Sequence, residues 1–302
     1  MIPSERLKGI EAFVATADAG SFTAAADRLN LTASAVGKSV ARLEARLHTR
    51  LFERSTRRLA LTDAGSAYYR TCVRVLAELQ DAEAVLAAQR QEPAGRLRID
   101  LPATYGRRVA LPLLLQFARR HPQLRPHLSF TDRFVDLTDE GIDVAVRIGG
   151  PQHWASGLGH RYLGSERVIF CASPQYLERR GTPQAAGDLA QHDAVAYGRA
   201  DGESSAWRIA QGEGPASLQA VDGAMVLDSA EAQVEAVAAG FGIAQLATWL
   251  AADALRDGRV VEVLPQLATE GLPLHLVWPL GKQLLPKVDA VLEMLGESLR
   301  IV

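Results

Sequence analysis

The chain has 302 residues, 48% of them hydrophobic, and carries 33 lysines and arginines against 35 acidic residues for a formal charge of −2. It can therefore bury two or three substantial cores, which excludes a disordered polymer. No apolar run reaches the roughly 18 residues of a membrane span and no basic patch with an apolar stretch opens the chain, so neither a span nor a secretory signal is expected and the chain reads as cytoplasmic.

The first expected element is a helix from about Ser4 to Asp18, with Leu7, Ile10, Phe13, Val14 and Ala17 as its apolar stripe. Ser21 then reads as the N-cap of a helix over Phe22 to Leu29. Thr32 caps a second over Ala33 to Leu47, with Asn30 and Leu31 in the turn. In the second helix Val36, Val40, Leu43 and Leu47 recur at spacings of four and three, an inward stripe backed by Ala25, Ala26 and Leu29. The other side presents Ser34, Ala35, Lys38, Ser39 and Arg42: short side chains that permit close approach and cations that reach phosphates or guanine edges. This is a helix-turn-helix pattern; the plainer reading is two packed helices with a solvated face. After it, Arg54, Arg57 and Arg58 lie between Phe52 and Leu61 and read as a wing laid along a phosphate backbone. Residues 1–62 hold about 10 basic and about 6 acidic residues, near +4, so the positive charge is confined to this segment and the remainder is acidic.

From about Asp63 to Gln91 a long helix is expected, with Tyr68, Cys72, Val75, Leu79, Ala82 and Leu86 in the 4, 3 rhythm of a two-stranded coiled-coil seam. The alternative is a helix lying on its own domain. Pro93, Ala94 and Gly95 break it and form a hinge. Beyond, strands and helices alternate: RLRIDLP, a helix over Tyr105 to Arg120, HLSF, DVAVRIG, RVIFCAS and a helix from Pro174. Then follow AMVLD, a helix through Glu231 to Ala239, GIAQL, PLHLVWP and a helix through Val288 to Leu299. That alternation predicts parallel sheets covered by helices.

Six strings, in order and over nearly the whole length, carry a family resemblance. They are FVATADAGSFTAAADRLNLTASAVGKSVARLEARL, LFERSTRRLALTDAG, GRLRIDLPATYG, VDLTDEGIDVAVRIG, FCASPQYL and AVAAGFGIAQL. The chain resembles the LysR-type transcriptional regulators. It departs from their common pattern at Ala33, Ser34 and Gly37, where glutamine, proline and serine are frequent. The resemblance implies an α/β chain with an N-terminal winged helix-turn-helix (1–62), a linker and dimerisation helix (63–92) and a hinge (93–95). The effector-binding domain follows (96–302), as two Rossmann-like lobes resembling a periplasmic solute-binding protein. Lobe I covers about 96–165 and 269–302, lobe II about 166–268, joined by two crossover strands. It also implies linker helices paired antiparallel in a homodimer, assembly into a homotetramer, promoter DNA and a small-molecule effector as partners, and RNA polymerase as a further candidate.

Ligands of open α/β sheets bind at the carboxyl ends of strands. Those ends are Pro102, Ala103, Thr104 and Tyr105; Thr131 and Asp132; Arg147, Ile148 and Gly149; Tyr197; Asp228 and Ser229; and Gln245. Thr104 and Ser229 could donate from helix starts and Arg147 could hold a carboxylate, which points to an organic anion. Asp132 could favour a hydroxyl or amine instead, and a helix cap or loop contact is the plain reading of each polar residue. An enzyme finds little support: no HExxH, GxSxG or GxxxxGK[ST] pattern occurs, and Ser173 beside Cys171 has no neighbouring His or Asp. Cys72 and Cys171 lack CxxC or Cys/His spacing, so no metal or other cofactor is expected, and their separation in sequence disfavours a thiol switch. A solute-binding module whose N-terminal helices serve only for assembly is the alternative to a regulator.

Overall fold

The computed structural model describes residues 9–54, 59–87, 92–198, 204–211 and 214–301, giving only the backbone of residues 54, 80–87, 211, 214 and 215. The chain forms two compact units, Met1–Arg90 and Gln91–Val302.

In the first unit α1 spans Ile10–Ala19. It starts later than expected because Gly9 takes φ 87°, a left-handed conformation that no helix continues through; Ser4 and Leu7 lie outside the described residues. A Cβ at Gly9 would also stand 3.1 Å from the Ser39 carbonyl oxygen. Helices α2 (Phe22–Leu29) and α3 (Ala33–Leu47) have the expected bounds, because the caps act as read. The Ser21 hydroxyl accepts from Thr23 N, that of Thr32 accepts from Ala35 N, and Asn30 turns the chain at φ 53°. Strands β1 (Phe52–Arg54) and β2 (Leu59–Leu61) pair antiparallel, and Glu44 Oε1 ties the wing to α3 by accepting from Leu51 N and Phe52 N. Helix α4 (Asp63–Ala87) begins where the Thr62 hydroxyl accepts from Gly65 N. A Cβ at Gly65 would lie 2.0 Å from the Leu51 oxygen, so only glycine lets α4 close onto the wing.

One apolar cluster holds this unit: Phe13, Val36, Val40, Leu43, Leu51 and Phe52 are buried in it, with Tyr68, Cys72 and Leu76 of α4 packed against them. This corrects the seam reading at Tyr68 and Cys72. Tyr68 and Cys72 are spent inside their own domain, Phe13 lying 5.7 Å from the Tyr68 ring, whereas Val75 is half-buried and Leu79 stays 42% exposed. The side chains of Ala82 and Leu86 lie outside the described set.

The second unit opens with β3 (Gly95–Leu101), so Gly95 belongs to a strand rather than to a hinge: it bonds Gln123 O and pairs with Leu124. The next helix begins two residues before the expected start, as α5 (Ala103–Tyr105), a π-helical turn (Gly106–Ala110) and α6 (Leu111–Arg120). There follow β4 (Leu124–Phe130), β5 (Val144–Ile148), β6 (Leu158–Ala172), α7 (Pro174–Arg180), β7 (Val195–Tyr197), β8 (Trp207–Gln211), β9 (Gly214–Gln219) and β10 (Met225–Leu227). Then come α8 (Ala230–Ala238), β11 (Ala244–Ala247), α9 (Thr248–Arg256), β12 (Val261–Val263), β13 (Thr269–Pro279) and α10 (Pro286–Ser298). The sheet order β11-β6-β13-β5-β3-β4, with β12 also on β6, is mixed rather than parallel. β3 runs parallel to β4 and β5, but β13 returns antiparallel to both β5 and β6. The long strands β6 and β13 thus lie between two lobes, each with buried apolar clusters of its own.

Candidate functional site

The first candidate surface is the outer side of α3. Packing of Val36, Val40 and Leu43 inward fixes the helix rotation, so Ser34, Ala35, Lys38 and Arg42 are exposed and Ser39 half-exposed. Arg42 Nε donates to the Lys38 carbonyl at 3.3 Å, and among the described residues neither cation is ion-paired. Ser21 and Thr32 use their hydroxyls as caps. Arg54 lies in β1, its side chain undescribed, and Arg57 and Arg58 fall outside the described residues. The arrangement offers short residues flanked by free cations on a rigid helix, which a polyanion groove can accept.

The second is a cleft of about 960 Å³ in the α/β unit. Of the expected residues, Pro102, Thr104, Tyr105, Thr131, Asp132, Arg147, Ile148, Gly149, Tyr197, Asp228 and Gln245 line it, brought together by the strand ends. Ala103 and Ser229 do not. Ala103 N donates to Asp132 Oδ1, and Ser229 spends its hydroxyl capping α8 by accepting from Ala232 N.

Arg147 also departs from expectation. Its Nη2 lies 2.7 Å from Asp100 Oδ2, with side chains 6% and 2% exposed, and its Nη1 donates to Val146 O. The charge the sequence offered to a ligand is thus neutralised by a residue one strand away. Tyr105 is buried and donates to Arg300 O at 2.7 Å, with burial raising its pKa. Gln245 holds backbone: its Oε1 accepts from Arg208 N at 2.8 Å and its Nε2 donates to Arg208 O at 2.6 Å.

Sequence reading missed several cleft residues: Phe134, Glu166, Trp207, Arg208, Trp249 and Leu272. Glu166 accepts from Trp249 Nε1 at 2.8 Å and from Leu272 N at 3.3 Å, and burial raises its pKa. Trp249 in turn meets the Tyr105 ring edge-on at 5.2 Å, linking the two lobes. Beside the cleft, adjacent arginines of the π-helical turn reach from lobe I to lobe II. Arg107 pairs with Glu231 at 3.0 Å, while Arg108 pairs with Asp253 and donates to Leu250 O. The one signal for Arg208 was alternation in WRI: Trp207 and Ile209 are buried, which turns Arg208 to the opposite face.

Both halves match family models: residues 7–66 that of the bacterial regulatory helix-turn-helix protein, lysR family, and residues 90–300 that of the LysR substrate binding domain. A helix-turn-helix regulator of Haemophilus influenzae is 33% identical over 290 residues, 95% of this chain and 98% of that one. A transcriptional repressor of Pseudomonas aeruginosa is 34% identical over 300 residues, 97% and 93% of the two chains. The solved structure of CrgA, a LysR-type regulator from Neisseria meningitidis, is 29% identical, with a TM-score of 0.60 over 96% of this chain and 97% of that one. The fold and the two family matches define a transcription regulator with an N-terminal helix-turn-helix and a two-lobed effector-binding domain. The chain belongs to the LysR family of transcriptional regulators. Among the described residues no helix is long and apolar enough to cross a membrane.

Proposed function

We propose that this chain regulates transcription from the cytoplasm by reading promoter DNA with α3 and the wing, under control of a small organic anion in the cleft, and that it catalyses no reaction. Ser34, Ala35, Lys38, Ser39 and Arg42 face the groove, Ser21 and Thr32 set the helix starts against the backbone, and Arg54, Arg57 and Arg58 follow the phosphates. α4 pairs two chains into a homodimer through Val75 and Leu79, two dimers make a tetramer, and RNA polymerase is the downstream partner. The single observation that carries the reading is the exposed hydroxyl and cation face of α3, held in place by its own apolar stripe.

The effector shifts DNA binding only by its differential affinity for two arrangements, so a coupling of about 1–3 kcal/mol is expected. Support for an anion does not come from Arg147 or Ser229, which are engaged within the protein. It rests on Arg133 and Arg208, which line the cleft and, among the described residues, have no carboxylate within ion-pair distance. The test is binding of the purified protein to the intergenic DNA beside its own gene at fixed salt, with and without a panel of organic acids, amines and sugars. Binding no tighter than to random DNA would leave the solute-binding module as the reading. A response to amines or sugars alone would refute the anion.

A further inference from the structure

Arg208 borders the cleft on β8, and its backbone is held there by the Gln245 side chain. It sits on β8 between Trp207 and Ile209, both buried in the lobe II core, so alternation turns its side chain the other way; both Arg208 and Trp207 border the cleft. Glu166 also lines the cleft, and the charge of Arg208 offsets a small part of the rise in its carboxyl pKa that burial causes. The hairpin partner β9 lies on one edge of β8, in register Arg208 to Leu218. Towards β11 the Arg208 peptide is held by the Gln245 side chain, whose amide takes one hydrogen bond and gives one, as a neighbouring strand would. Reversing that amide would face donor against donor, so the orientation is dictated.

Arg133 is the other cation of the lining without an ion-pair partner among the described residues, and it stands exposed whereas Arg208 is half-buried. Arg147 is neutralised by Asp100, Asp132 accepts from Ala103 N, and Glu166 accepts from Trp249 Nε1 and Leu272 N, with burial raising its pKa. Asp228 is exposed at the wall and disfavours a second negative charge beside it. Between these groups the walls are apolar, with Val168, Leu250 and Trp249, and with Phe134 and Leu272 left 57% and 39% exposed. A guanidinium fork facing apolar walls suits a planar carboxylate carried on an apolar body.

We propose that Arg208 is the anion-gripping residue of this cleft, that Gln245 is its positioning residue, and that the effector is a monocarboxylate borne on an apolar ring or chain. This rests on the organic-anion reading above. The experiment is calorimetric titration of the full-length protein with four probes: benzoate, acetate, benzyl alcohol and benzylamine. Benzoate is expected to bind at least about tenfold more tightly than the other three. R208A should cost benzoate about tenfold or more and R208K less, because the ammonium keeps the charge and loses the fork. Q245L should weaken benzoate similarly, and R208A/Q245L should lose no more than R208A alone, since Gln245 acts through Arg208. Q245E, which keeps the acceptor and loses the donor, gives the same comparison should Q245L fold poorly. If benzoate binds wild type and R208A equally, the Arg208 assignment falls and the anion reading stands. Loss of benzoate and acetate binding alike in wild type, with operator binding retained, overturns both.

Discussion

Asp100 on β3 and Arg147 on β5 meet at 2.7 Å with both side chains almost entirely out of water. The contact is mainly Coulombic, since neither Asp100 Oδ2 nor Arg147 Nη2 makes an aligned hydrogen bond. Removing one partner strands the other charge in a medium that cannot solvate it. Arg147→Ala is therefore expected to destabilise the α/β unit by about 3–5 kcal/mol, whereas Asp100→Asn with Arg147→Met loses much less. Urea unfolding of the three proteins checks this; equal midpoints for wild type and Arg147→Ala would mean the pair is solvated.

Lys38→Ala and Arg42→Ala are expected to weaken operator binding by about tenfold each at fixed salt while leaving the melting temperature unchanged. Both side chains stand outside the stripe of Val36, Val40 and Leu43 that carries the fold. Fluorescence anisotropy on operator and random duplexes decides it, and unchanged binding by both variants would take α3 out of the groove.

The DNA-binding half was the more legible because its signals are local. Ser21 and Thr32 cap the helices they precede, and a four-three apolar stripe means what it says when the partner helices are adjacent in sequence. The cleft was legible as an address and not as a charge inventory. Strand ends located Thr104, Thr131 and Gln245, but the partner of Arg147 lies 47 residues earlier, on another strand, and no spacing rule pairs them. Tyr68 and Cys72 misled for the related reason that one rhythm can serve two purposes along α4: its first turns close a core, whereas Leu79 stands exposed. Strands β8, β9 and β12 were missed because charge, or glycine and proline, interrupts their apolar residues, whereas the three-residue β10 was read from the unbroken apolar run in AMVLD.

Neither thiol should act as a redox sensor. Burial raises the pKa of both, Cys171 to about 12, and Cys72 lies in the winged-helix core. A raised thiol pKa favours the folded state below the ordinary thiol range, an advantage lost as pH climbs towards the folded value. At pH 8 the native thiolate of Cys171 is therefore scarce. A disulfide-exchange reagent should label the native protein slowly and both residues at once in denaturant; rapid labelling of the native protein would return the redox reading.

Leu79→Asp should dissociate the assembly without unfolding the first unit, because Leu79 lies beyond the turns of α4 that carry Tyr68, Cys72 and Leu76 into the core. Sedimentation should show a smaller species with an unchanged melting transition. A wild-type protein that is already monomeric at micromolar concentration would remove the seam.

The adjacent arginines of the π-helical turn offer the last prediction. Arg107 with Glu231 and Arg108 with Asp253 are solvent-exposed pairs that contribute little to folding. Both nevertheless span the two lobes, so their effect falls on the angle between lobes rather than on the stability of either. Arg107→Ala with Arg108→Ala should leave the urea midpoint of the α/β unit almost unchanged, yet give a more open small-angle scattering profile. Wild type should approach the same profile as salt rises, since screening weakens exposed pairs first. Superimposable profiles for wild type and the double variant at low salt would show that β6, β13 and the Tyr105–Trp249 contact set the angle alone.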